Sequence, residues 1–305
     1  GGNAPGVTQG GAGGAGLDVS ATFGNIGPTC SVFAGGGGGG ARTGGTAGAA
    51  GPGGGGAGGP TTVPSPSTVG NNGTDNTGGG GGGIGFGPSY GGRGGNGGSG
   101  IVLTKELNNN RGNWPLSQQF DAQEGGNWPD GTEIQSVTLN YLVVAGGGAG
   151  GSFAGGGAGG YRASGYGPAP LQGCALTVCS SSTYTITVGA GGGNSCGTAY
   201  PAPCASPPDG SGEGYGNVSS IKQGCTVLIQ SSGGAYPLNA SCGNPWNNNN
   251  GRRGGPGGSG SGGWPSAKAP KRPGGSGNAG GFSPPEGNAG GSGGANENLG
   301  SDGSN

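Results

Sequence analysis

The sequence contains no histidine and no methionine, and only 8% of its 305 residues are charged and 28% hydrophobic. Each shortage closes a route. Without histidine, a serine or cysteine nucleophile must find its base among carboxylates and lysines, and the 12 carboxylates are scattered with no convincing pair. No enzyme activity and no cofactor are expected. The longest useful apolar run, 141–145, is far short of the roughly 18 residues of a membrane span. Membrane insertion is therefore not expected. A net charge of −1 supplies neither an acidic tail nor a general footprint for nucleic acid. Seven cysteines are too few for a disulfide scaffold throughout. With no initiator methionine, residue 1 is expected to lie inside a longer gene product.

What the chain has instead is glycine, 93 residues of it. The strict Gly-X-Y period of collagen is missing: 35–40 and 78–83 are unbroken glycine runs. Ordering a backbone residue costs roughly 1–2 kcal/mol, so 93 glycines cost of order 100 kcal/mol. Side-chain burial cannot supply that from so little apolar material. The remaining source is the main chain, one N–H and one C=O per glycine with no side chain in the way. Glycine tolerates the extended polyproline-II geometry, three residues per turn and about 3.1 Å rise, with every polar group pointing sideways. Packed side by side, such rods can bond to several neighbours at once. The fold expected is non-helical and all-β-like: short β-strands lead into packed polyglycine-II rods. Pro88 and Arg93 interrupt the longest tract, so short legs that fold back are expected.

Two tandem glycine-rich domains are expected, 1–107 and 137–305, separated by a junction at 108–136. Strands are expected at 101–105, at 137–145 and, by period-2 alternation, at 183–188. The second strand feeds 146–151 and the third feeds 189–193, both glycine-rich. The blocks read as offset copies of one unit, as if the chain began inside one repeat and ended inside the next. Trp114 and Trp128, each followed by proline, would anchor the junction.

Gly146-x-Gly148-x-x-Gly151 after an apolar strand imitates a dinucleotide fingerprint. That chemistry needs a helix next, so that its N-terminus can hold the pyrophosphate. Residues 152–173 are too rich in glycine and proline for one. No acidic residue between Glu133 and Asp209 is present to hold a ribose.

Six cysteines fall between 174 and 242: Cys174, Cys179, Cys196, Cys204, Cys225 and Cys242. They lack the tight C-x-x-C pairs of a zinc site. As disulfides they allow 15 pairings. Local closure favours Cys174–Cys179, Cys196–Cys204 and Cys225–Cys242, leaving Cys30 alone. A basic, acid-free stretch carries Arg252, Arg253, Lys268, Lys271 and Arg272, with Trp246 and Trp264 among them. Aromatic rings that stack on sugars and cations that meet phosphates or uronates would suit a loop surface for host glycans. The plainer alternative is a solvated loop with locally packed tryptophans.

The order of motifs carries a resemblance. Residues 141–151 (YLVVAGGGAGG), then Gly159-Gly160-Tyr161-Arg162, then 184–192 (YTITVGAGG) resemble the glycine-rich domain of phage tail fibre proteins. Residues 94–102 (GGNGGSGIV) resemble its closing segment. The resemblance implies a structural and adhesive virion component, extracellular or on the particle, whose loops contact a host-surface glycan or outer-membrane protein. It also implies a homo-oligomer, a trimer by preference, or association with other virion proteins. A secreted or cell-surface glycine-rich filament protein shares the same backbone physics. An ice-binding bundle would need a regular ladder of small residues on one face, and the sequence displays none plainly.

Overall fold

The computed structural model describes residues 1–6, 8–41, 44–59, 70–85, 93–106, 116–125, 136–151, 154–165, 172–179, 182–193, 214–237, 254–263 and 272–294. Ten strands and two helices lie among them. The strands are β1 (Leu17–Asp18), β2 (Val32–Phe33), β3 (Ile101–Glu106), β4 (Ser136–Val144), β5 (Tyr161–Ser164), β6 (Gln172–Gly173), β7 (Leu176–Cys179), β8 (Tyr184–Thr187), β9 (Ser219–Gln223) and β10 (Thr226–Ser231). The helices are α1 (Ser20–Phe23) and α2 (Leu116–Glu124). The fold is non-helical in bulk, as expected. The nine-residue α2 is the departure: it falls inside the junction, where glycine is scarce and Gln, Ala and Glu favour a helix.

The strands build three layers. β1 pairs with β2, and β8, β9 and β10 form an antiparallel sheet. Between these lies the sheet around β4, which pairs with β3 along one edge and with β7 and then β5 along the other. Successive side chains of a strand point to opposite faces, and β4 uses both. Leu142 and Val144 pack with Val19, Phe33, Tyr161 and Ala163. Tyr141 and Val143 pack with Ile221, with Leu176, Tyr184, Leu228 and Ile229 around them. A strand covered on both faces reads as an unbroken apolar run, which is what 141–145 is.

Nearly every strand continues into a glycine rod. β2 runs into 35–40, β4 into 145–151, β8 into 189–193 and β10 into 232–237; 10–16 runs into β1, 93–100 into β3, 154–160 into β5 and 214–217 into β9. The strands therefore gather at one end of the rods. Because the rods have three residues per turn, each sends its groups to successive neighbours in a period of three. The rod 78–84 makes this plain. Gly80 and Gly83 donate to the carbonyls of Gly35 and Gly38, Gly81 and Ile84 to those of Gly148 and Gly151, and Gly82 to that of Asn71. In return its carbonyls accept from Gly56 and Gly59, from Gly95 and Gly98, and from Gly156 and Gly159. Six rods thus surround one, in hexagonal packing. The amides of the rods satisfy one another across the glycine segments, with no oily centre needed there.

The expected division at 107 and 137 does not divide this lattice. Rod 78–84 comes from the first glycine block and is bonded on two sides to rods of the second, 145–151 and 154–160. The blocks interleave because a glycine rod presents the same backbone groups to any neighbour.

Side chains appear where the lattice ends. On the outer rods 70–74 and 93–100, Asn72 Oδ1 accepts from the Asn96 amide at 2.9 Å. Ser99 Oγ accepts from the Asn76 amide at 2.9 Å. These polar residues close backbone donors that an edge would otherwise leave open. At the strand end, Glu286 is 1% exposed and accepts from the Ser232 amide at 2.8 Å and from Ser231 Oγ at 3.4 Å. Its own carbonyl accepts from the Tyr161 amide at 2.7 Å, which ties the last turn of the lattice to the sheets. Arg162, in β5, stacks its guanidinium 4.5 Å from the Phe282 ring centre in the same turn.

Candidate binding end of the glycine lattice

Since the strands occupy one end of the rods, the other end is made by rod termini. Transverse hydrogen bonds fix which residues those are: Gly70 to Arg93, Ile84 to Gly151, Gly254 to Pro273, Gly263 to Gly291 and Gly293 to Arg272. Of the residues singled out for a receptor-facing loop, Arg272 is here, half-buried at the start of the rod 272–277. Trp246, Arg252, Arg253, Trp264, Lys268 and Lys271 lie outside the described residues. The described residues that border them in the chain, Pro237, Gly254, Gly263 and Arg272, are all at this end.

Beneath the surface of this end sits a small apolar cluster that the sequence reading missed. Tyr215 and Tyr236 meet edge-to-face, ring centres 6.5 Å apart, with Ala149 and Ala235 around them. Gly214 makes this possible, for a Cβ there would come within 2.5 Å of the Tyr236 ring. Burial pushes both phenols above their ordinary range, and Tyr215 pushes Tyr236 further. The consequence for stability has a definite sign. A tyrosine of the unfolded chain ionises near pH 10, while the folded phenols hold their protons higher. The unfolded state then binds fewer protons, and stability falls as pH rises past that point. Denaturant melts between pH 7 and 11 are expected to give a flat midpoint up to about pH 10 and a decline beyond it. The decline should be smaller in Tyr236→Phe.

The cysteine pairing preferred by local closure is corrected in two places, at Cys174–Cys179 and at Cys225–Cys242. Cys174 and Cys179 are free thiols, as are Cys30 and Cys225, and no disulfide is formed among the described residues. Cys179 ends the extended β7, whose four residues rise about 3.3 Å each. That holds it well beyond the 4.4–6.8 Å Cα separation of a disulfide from Cys174. Cys225 occupies the β9–β10 turn; Cys196, Cys204 and Cys242 lie outside the described residues. The imitation of a dinucleotide fingerprint is a rod: the amides of Gly146, Gly148 and Gly151 donate to Asn217, Gly157 and Ala154 carbonyls. No donor of those three is left for a phosphate. Among the described residues no cluster of potential ligands could hold a metal, and no helix is long and apolar enough to cross a membrane.

The family model for a glycine-rich domain matches residues 126–305. The chain belongs to this glycine-rich domain family. No curated protein and no solved structure matches it. In this member of the family the match begins within the junction, ten residues ahead of β4.

One surface feature of this glycine-rich domain protein was not legible beforehand. Rods 10–16 and 46–52 lie in register, with Gly10, Gly13 and Gly16 donating to Thr46, Ala49 and Pro52. Ala12 and Ala15 on one rod, and Thr46, Ala49 and Pro52 on the other, are exposed. The spacing of three residues amounts to about 9 Å along each rod. The ladder of small residues that seemed absent is therefore present, split between two distant stretches of sequence.

Proposed function

We propose that this chain is a structural and adhesive component of a virion appendage, a tail fibre or comparable part, that presents loops for recognition of a host surface. One observation carries the reading. The rods form a stiff hydrogen-bonded body, and the rod termini that border the basic, tryptophan-bearing segments all lie at the end opposite the strands. Such a body separates a mounting end from a contacting end. Trp246, Arg252, Arg253, Trp264, Lys268, Lys271 and Arg272 would carry the contact, aromatic rings on sugar faces and cations on phosphates or uronates. The particle would hold the protein as a homo-oligomer, a trimer by preference, or through other virion proteins. Binding to an array of acidic glycans tests this. Saturable binding that weakens at least tenfold in a Trp246→Ala, Arg252→Ala, Arg253→Ala variant of unchanged melting temperature supports the adhesive role; equal binding by the variant, or none by either protein, removes it. Immunogold labelling of particles decides the location: label confined to free filaments would favour a secreted filament protein.

The exposed ladder of Ala12, Ala15, Thr46, Ala49 and Pro52 favours a second reading, ice binding by a flat face. Thermal hysteresis of the purified chain, lost in Ala12→Tyr, would establish it, and freezing-point behaviour no different from that of serum albumin would end it.

A further inference from the structure

A second ring of six rods closes in this lattice, around no rod of the described chain. Rod 35–40 bonds to 154–160 through Gly37 and Gly156; 154–160 bonds to 259–263 through Ser259 and Ala158; 259–263 bonds to 287–293 through Gly260 and Asn288. The ring returns through Ala4 and Ser292 to residues 1–4, through Gly2 and Ala12 to 10–16, and through Gly36 and Gly14 to 35–40 again. The six walls enclose a cavity of about 310 Å³. The ring around 78–84 has the same construction, and there a single rod fills it.

The polar groups left over on the walls follow a pattern. Among the described residues, the carbonyls of Gly37 and Gly40, of Gly260 and Gly263, and of Gly2 accept no hydrogen bond. The amides of Gly155 and Ala158, of Asn288 and Gly291, and of Gly11 and Gly14 donate none. In order around the ring the walls offer C=O, N–H, C=O, N–H, C=O, N–H. A polyglycine-II rod offers the complement: in order around 78–84, it donates, accepts, donates, accepts, donates and accepts. On each wall with two such groups they are three residues apart, the period of the rod. Gly155 and Ala158 are buried, where an unpaired amide is costly.

We propose that this channel binds one extended glycine strand of a second polypeptide chain, which completes the hexagonal lattice and joins the two chains through main-chain hydrogen bonds alone. About six residues, some 19 Å at the rod's rise, would match the walls. The walls select for glycine, since close-packed backbone on six sides leaves no room for a Cβ on the entering strand. Gly262 gives a way to plug the channel. A Cβ on it would meet nothing nearer than 3.6 Å, at Ala154 Cβ and the Gly155 amide on the wall beside it.

Blocked hexaglycine flanked by lysines serves as the probe, titrated into the whole chain with hydrogen exchange followed at Gly155 and Ala158. Saturable binding with at least tenfold slower exchange at these two amides is expected. The same peptide with one central alanine should bind at least tenfold more weakly. Gly262→Val, with its melting temperature unchanged, should not bind. Exchange at both amides that is indifferent to saturating peptide, or equal binding of the alanine peptide to the native chain, overturns the proposal and leaves a channel that holds water only. Binding that persists in a folded Gly262→Val overturns it too, by placing the peptide elsewhere.

Discussion

Gly81→Ala will destabilise the protein by about 3 kcal/mol or more, at the upper end of what overpacking costs. The methyl group would stand 2.0 Å from the Gly95 carbonyl oxygen and 2.6 Å from its carbon. Both are backbone atoms of a rod that is itself bonded on several sides, so neither can turn aside as a flexible side chain would. Gly81 also donates to Gly148, and its carbonyl accepts from Gly156, so any shift of the rod strains two further contacts. Gly6→Ala is the matched control. Nothing lies within 4 Å of its added Cβ, and alanine at a compatible position reduces the entropy of the unfolded chain, a gain of about 0.4–1 kcal/mol. Chemical denaturation of the pair measures the difference. Equal effects from the two substitutions would mean that the glycines are spacers and not lattice members.

That contrast also marks what the sequence can and cannot convey. Strands with side chains announce themselves: the alternation over 183–188 and the apolar run at 137–145 became β8, Tyr184–Thr187, and β4, Ser136–Val144, within a residue or two. The β9–β10 hairpin went unread, because SSIKQ and TVLIQS lack a period-2 alternation; its one local mark is Gly224, which takes φ +56° in the two-residue turn. Rod conformation followed from composition. Rod neighbours did not, because pairing is written in backbone groups that all glycines share. Nothing in the text of 78–83 names 35–38 or 148–151 as its partners. Interleaving of the two blocks, the small-residue ladder and the ring of six are all products of that silent pairing. For the candidate site, the basic and aromatic residues are an expectation of the sequence alone, whereas the end of the body that their described chain neighbours occupy follows from rod directions that the sequence does not state.

Phe33→Ala should cost about 3–5 kcal/mol, the range for a large buried aromatic ring. Phe33 is fully buried at the end of β2 and packs with Val19, Leu142, Val144 and Tyr161, so it bridges the β1–β2 layer and the central sheet. Its carbonyl lies against rod 10–16, where a Cβ on Gly16 would meet it at 2.2 Å. Two residues later the same chain becomes rod 35–40, a wall of both rings. The mutation therefore tests more than local packing. The lattice has almost no side chains to hold its register, and the strands supply that register from one end, as the mounting of each rod. If so, loss of Phe33 lowers the protection of the Gly36 and Gly80 amides by the same free energy as it lowers global stability, read by native-state hydrogen exchange. Rod amides that keep their full protection while the β1–β2 layer opens would show instead that the glycine lattice sustains its own register, and that its cooperativity resides in the main-chain hydrogen bonds rather than in the apolar end.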